Sequence, residues 1–164
     1  MIHPTAIIDP DAVLGQDVEA GPYCVIGPGV VLGDNGGLKS RVVVRGPSNI
    51  GNGVQIYQFA TVGEDTPALA YEGEESVLEV GEDTIIREGV TIHRGMAKRG
   101  IQKTIIGSNC LLMAYVHVGH DCIVGNNVIM ANNASLSGHV EVGDFANFGG
   151  YSGIPQFRKI GACT

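Results

Sequence analysis

Aliphatic residues recur at every sixth position of this chain. Ile2, Ile8, Leu14, Ala20, Ile26, Leu32, Leu38, Val44, Ile50, Ile56 and Val62 form one series, and Val80, Ile86 and Ile92 resume it. A second frame runs through Ile106, Leu112, Val118, Val124, Met130, Leu136, Val142, Phe148, Ile154 and Ile160. The fourth residue after each is usually small or β-branched, as at Ala12, Val18, Cys24, Ala60, Cys122 and Ala134, and a glycine often follows the aliphatic, as at Gly15, Gly33, Gly119 and Gly143. Six is neither a helical nor a simple strand period, so the pattern predicts a repeat of short strand, turn, short strand. The large and the small residue point inward, and the glycines suit tight turns.

Such hexads resemble the hexapeptide-repeat family, whose fold is a left-handed parallel β-helix. Three hexads make one triangular coil, and coils stack at strand spacing, roughly 4.8 Å. The left hand follows from the resemblance, since the general crossover rule favours the opposite one. A single all-β domain over residues 1–164 is expected, each coil burying its aliphatics on its neighbours. Arg158 departs from the pattern, standing where a small inward residue belongs.

The hexads break at roughly residues 65–78 and 95–104. Insertions into a solenoid become loops on one side, often the binding side. The second is basic, with Arg94, Lys98, Arg99 and Lys103 close together in an otherwise acidic chain. It reads either as a solvated loop or as a docking patch for an acidic partner. Thr164 falls inside a hexad, so the chain is expected to be part of a longer protein.

The net charge of −7 argues against a nucleic-acid or membrane-surface role. No apolar run reaches the roughly 20 residues of a membrane span. Met1-Ile2-His3-Pro4 enters the first hexad directly, so no leader is expected. Cys24, Cys110 and Cys122 occupy the small inward slot and read as reduced core residues; with Cys163 they form no Cys-x-x-Cys pair. A cytoplasmic protein is expected.

Candidate chemistry lies in the histidines. His3 is near the terminus and reads as incidental. His117-x-x-His120-Asp121 is the suggestive cluster, and neither histidine falls in an inward slot, so both are expected on the surface or at a corner of the prism. Coil length stacks His120, Gly138 and Gln156 in adjacent coils, with His139 beside Gly138. Imidazole is a good general base near neutral pH. A carboxylate fixes its tautomer. A glycine lets a reactive carbonyl reach a backbone N–H. Inert surface histidines are the bland alternative, and a three-histidine zinc site the other.

The segments Ile56-Tyr57-Gln58-Phe59-Ala60, Ile86 to Gly95, Val116-His117-Val118-Gly119-His120-Asp121-Cys122, Ala131-Asn132-Asn133-Ala134 and Leu136-Ser137-Gly138-His139-Val140 closely resemble the acyl-carrier-protein–UDP-N-acetylglucosamine O-acyltransferase family, which opens lipid A synthesis. The resemblance covers essentially the whole chain. It implies that His120 is the catalytic base, deprotonating the sugar 3-hydroxyl for attack on a 3-hydroxyacyl thioester held by acyl carrier protein. Asp121 orients His120, and the Gly138 N–H holds the oxyanion. His93, His117, His139 and Gln156 position substrate. It implies a homotrimer with sites between subunits and no metal or organic cofactor.

This chain departs from the family pattern in three places. Ala70 stands where the family usually has Lys before Tyr71-Glu72-Gly73-Glu74, Ala68 where it has Asp, and Pro155 where it has His before Gln156-Phe157. The family's helical C-terminal part has no counterpart here. Two further readings stay open: N-acylation of an amino-sugar nucleotide, and a non-catalytic binding or scaffold protein.

Overall fold

A computed structural model describes all residues 1–164. Strands mostly two residues long form the three sides of a prism, beginning with Ile7–Ile8, Val13–Leu14 and Glu19–Ala20. They assemble into three parallel sheets of eight, eight and seven strands. Every strand pairs with its equivalent in the next coil, as in Ile7↔Val25, Val25↔Val43 and Thr61↔Val43. The chain has no helix. The fold is a left-handed parallel β-helix.

The hexad explains the core. Ile26, Leu32, Ile56, Ile86, Ile92, Leu112, Met130 and Leu136 fill the prism, and Cys24, Ala60, Cys122 and Ala134 take the tighter inward places. A smaller residue there lets the chain turn the corner without overpacking the interior. Ile8 and Leu14 at one end of the stack and Ile154 and Ile160 at the other are half-buried. Ile2 is exposed, and so is Arg158, whose carbonyl still accepts the Glu141 N–H at 2.9 Å. The cation therefore sits on the coil without entering its interior.

The corners require left-handed backbone. At one corner Asp17, Asn35, Asn109 and Asn127 supply it, residue types that tolerate it well. Side chains there also tie coil to coil: Asn126 Oδ1 accepts the Ser108 N–H at 2.8 Å and Asp144 Oδ1 accepts the Asn126 N–H at 2.7 Å. A second corner carries Tyr23, Phe59, Tyr115 and Tyr151, all exposed. The third carries Asp121, His139 and Phe157.

Both insertions leave from this third corner. The first follows Thr61–Glu64 and ends at Val77–Val80; the second follows Thr91–His93 and ends at Lys103–Ile106. Val77 is already a strand residue, so the first break is shorter than the hexad pattern implies. Pairing resumes across both, with Thr61 paired to Thr91 and Thr91 to His117, apart from a bulge between Val62 and Glu64 where the first insertion departs. The insertions and the histidines are thereby delivered to one edge of the prism.

Candidate active site

Three consecutive coils place His120, Gly138 and Gln156 one above another at the third corner. They line a cleft of about 240 Å³ together with His93, His117, Gly119, Ser137 and, from the first insertion, Thr66, Pro67 and Ala68. Strand pairing sets this arrangement: His117 pairs with Ser135 and Thr91 with His117, so the histidine face continues directly into the corner.

His120 is buried, not outward-facing as its place in the hexad suggests. The second insertion folds back over the corner and closes on the adjoining Asp121. His120 Nδ1 lies 2.7 Å from Asp121 Oδ2. A carboxylate only accepts, so Nδ1 carries a proton, and in the neutral ring that tautomer leaves the lone pair on Nε2. The Asp121 side chain is fully buried. Its carboxylate also accepts the Ile101 N–H at 2.9 Å and the Met96 N–H at 3.1 Å, and its own N–H donates to Thr104 Oγ1 at 2.9 Å. Burial pushes this carboxyl up. The bonds from His120, Met96 and Ile101 outweigh that and hold it below its ordinary value.

Gly138 has no room for a side chain, because a Cβ would lie 2.5 Å from His120 Nε2. Its N–H makes no hydrogen bond within the chain. A base with a free lone pair and a free backbone donor therefore meet at one cleft. That pairing suits acyl transfer, in which one group takes a proton and the other holds a developing oxyanion.

The other histidines are distributed unequally. His117 Nδ1 lies 2.8 Å from Thr91 Oγ1. Burial lowers its pKa, and the neighbouring His93 and His120 add to the effect. His93 Nδ1 donates to the Asp65 carbonyl at 2.7 Å, which leaves its Nε2 as acceptor, and its ring meets His117 edge-on at 5.3 Å. His139 lies outside the cleft. Its left-handed backbone turns the ring into the neighbouring groove, stacked on Phe157 at 4.5 Å and edge-on to His120 at 4.9 Å. It reaches the site through its packing on His120 and not by lining the cleft.

His120, Asp121 and His139 bring ligand atoms within 4.8 Å of one another. This donor set does not fit a resident metal, since the Asp121 carboxylate is spent on three N–H donors and His120 Nδ1 is protonated toward it.

The cations of the second insertion differ in their surroundings, Lys98 and Arg99 being exposed. Arg94 is buried; its guanidinium bonds the Gly63 carbonyl at 2.6 Å and pairs with Asp65. Lys98 pairs with Glu72 at 2.6 Å and Lys103 with Glu79 at 2.8 Å. Arg99 is left without an acidic partner in the chain. Of these, Arg94 joins the roots of the two insertions, Lys98–Glu72 is an exposed pair between them, and Lys103–Glu79 joins two paired strands.

Sequence reasoning missed Arg94 and Asp65 as the pair that fixes the first insertion, and the Met96 and Ile101 N–H groups as partners of Asp121. Gly95 and Gly100 carried a signal, because a Cβ at either would come within 2.8 Å of the Asp121 carboxylate.

Residues 103–138 match the family model described as bacterial transferase hexapeptide (six repeats). The acyl-[acyl-carrier-protein]–UDP-N-acetylglucosamine O-acyltransferase of Stutzerimonas stutzeri (strain A1501) is 50% identical over 99% of this chain and 62% of its own length. The crystal structure of UDP-N-acetylglucosamine O-acyltransferase from Moraxella catarrhalis RH4 superposes with a TM-score of 0.95 at 42% identity, over 98% of this chain and 62% of that one. The UDP-N-acetylglucosamine acyltransferase from Bacteroides fragilis 9343 superposes with a TM-score of 0.75 at 38% identity, over 98% of this chain and 68% of that one. The chain spans 48–62% of the length of the first curated relatives it matches. On this identity and superposition, the chain belongs to the acyl-[acyl-carrier-protein]–UDP-N-acetylglucosamine O-acyltransferase family.

Proposed function

We propose that this chain carries the acyl-transfer centre of an enzyme that moves a 3-hydroxyacyl group from acyl carrier protein to the 3-hydroxyl of UDP-N-acetylglucosamine, the first step of lipid A synthesis. His120 Nε2 takes the hydroxyl proton as the sugar oxygen attacks the thioester carbonyl. The Gly138 N–H donates to the resulting oxyanion. On collapse the C–S bond breaks, and His120 returns its proton to the departing carrier thiolate. Asp121 holds the imidazole in the tautomer that leaves Nε2 free. A general base contributes about 10²–10⁴ in rate and an oxyanion donor about 10²–10³. His93, His117 and Gln156 position the sugar and acyl groups, while His139 acts by packing against His120. The carrying observation is the 2.7 Å bond between His120 Nδ1 and Asp121 beside an unspent Gly138 N–H.

The assembly is a homotrimer with the cleft closed by a neighbouring subunit. Exposed Tyr23, Phe59 and Tyr115, which share one corner with Arg41 and Asn133, offer a mixed aromatic and polar surface that such a neighbour could cover. No helix is long and apolar enough to cross a membrane. Because the acyl donor is a soluble carrier, the place of work is the cytoplasm.

A transfer assay with 3-hydroxyacyl carrier and paired acceptors tests the reading. Ester formation on UDP-N-acetylglucosamine is expected. Amide formation on the 3-amino analogue alone would mark an N-acyltransferase. Absence of transfer, with no heat on titrating either substrate in a calorimeter, would mark a scaffold.

A further inference from the structure

We propose that Glu74, on the first insertion, is a positioning residue for the His120–Asp121 pair and acts through the backbone of the second insertion. This rests on the reading of His120 as the base.

Glu74 bridges the two insertions. Its Oε1 accepts the Ala97 N–H at 3.1 Å and its Oε2 accepts the Glu72 N–H at 2.8 Å. The N–H groups of Glu72 and of Glu74 itself, joined by those of Ala97 and Lys98, hold this carboxyl below its ordinary range. A carboxylate shared between two segments of backbone is a clasp, because each N–H it accepts loses a partner if either segment moves.

The turn clasped by Glu74 is the turn that grips Asp121. Met96, next to Ala97, donates its N–H to the Asp121 carboxylate, and its carbonyl accepts the Gln102 N–H at 2.9 Å, which closes the turn on itself. Ile101 donates from the other side. The connection therefore runs by hydrogen bond from Glu74 to Ala97, through the peptide bond to Met96, and by hydrogen bonds again to Asp121 and to His120 Nδ1.

The near end of the same insertion touches the cleft. Arg94 pins its root through the Gly63 carbonyl and Asp65, and Tyr71 ties root to tip by donating toward Asp65 at 3.0 Å and the Glu74 carbonyl at 3.3 Å. Thr66, Pro67 and Ala68 form the wall facing His93 and His117. One segment thus lines the substrate space and also steadies the base.

The test compares Glu74→Ala, Glu74→Gln and the control Glu72→Gln, which removes only the exposed ion pair with Lys98. Imidazole ¹⁵N spectra report the His120 tautomer directly, and the transfer assay gives kcat and KM. In the parent, His120 shows one locked tautomer with Nδ1 protonated. Glu74→Ala is expected to move both ring nitrogens toward tautomer averaging. It is also expected to lower kcat about 10–100-fold, as displaced catalytic groups do, with KM for UDP-N-acetylglucosamine changed by less than about twofold. Glu74→Gln keeps one acceptor oxygen and falls between, while Glu72→Gln matches the parent. A His120 spectrum unchanged in Glu74→Ala overturns the proposal, as does an equal change in Glu72→Gln. A shifted spectrum in a protein whose parent form transfers no acyl group leaves the positioning intact and sinks the acyltransferase reading instead.

Discussion

His120 and Gly138 share one space: a Cβ on Gly138 would lie 2.5 Å from both Nε2 and Cε1 of the His120 ring. The ring has little freedom to retreat, being bonded to Asp121 at one edge and packed against His139. Gly138→Ala is therefore expected to push the imidazole off Asp121 or to displace the oxyanion donor. A loss of roughly 10²–10³ in kcat should follow, with about 1–3 kcal/mol of stability from overpacking. Steady-state transfer and urea unfolding measure the two effects. Parent kcat in this variant would mean that the glycine is not beside the reacting carbonyl.

The wall of the cleft suggests a gain-of-function change. Ala68 lines it and Ala70 is exposed nearby, at the positions where the family pattern has a carboxylate and a cation. Ala68→Asp combined with Ala70→Lys is expected to lower KM for UDP-N-acetylglucosamine about tenfold, or about 1.4 kcal/mol, without raising kcat. Isothermal titration with the sugar nucleotide checks it. An unchanged affinity would place the nucleotide elsewhere.

Acid should weaken the fold in two windows. Burial favours the neutral imidazoles of His117 and His139, whose pKa values lie below the ordinary 6.5. Below that pH the unfolded chain takes up protons that the folded chain refuses, so this contribution is full above about 6.5 and is lost as pH falls. Asp121 has the opposite chemistry. Its pKa lies below the ordinary 3.8, so its stabilisation is present above that value and is lost as pH falls through the folded one. Urea midpoints between pH 8 and pH 3 are expected to decline in two steps, and His117→Asn to shrink the first. A midpoint that stays level from pH 8 to pH 5.5 would contradict the assignment.

The six-residue period made the coils legible, and with them the stacking of His120, Gly138 and Gln156. Periodicity reports which residues share a coil position, and nothing more was needed for that column. It was silent about what the insertions do, because Asp65–Ser76 and Arg94–Gln102 have no repeat to place them. The grip of the second insertion on Asp121 therefore had to come from the structure, and so did the inward turn of Arg94. His139 shows a subtler limit. It adjoins Gly138 in sequence, yet the left-handed corner between the two sends its ring to a different groove. Charge pairing was hidden for a similar reason. Lys98 and Lys103 read only as basic until Glu72 and Glu79, distant in sequence, are seen beside them at the surface.

The imidazole of residue 120 as proton acceptor is most directly tested by His120→Ala, assayed for transfer from 3-hydroxyacyl carrier to UDP-N-acetylglucosamine at neutral pH. Asp121 keeps its Met96 and Ile101 partners in that variant, so the coil is expected to remain folded with an unchanged circular dichroism spectrum. The rate is expected to fall by about 10²–10⁴. Transfer at the parent rate would show that another group takes the proton.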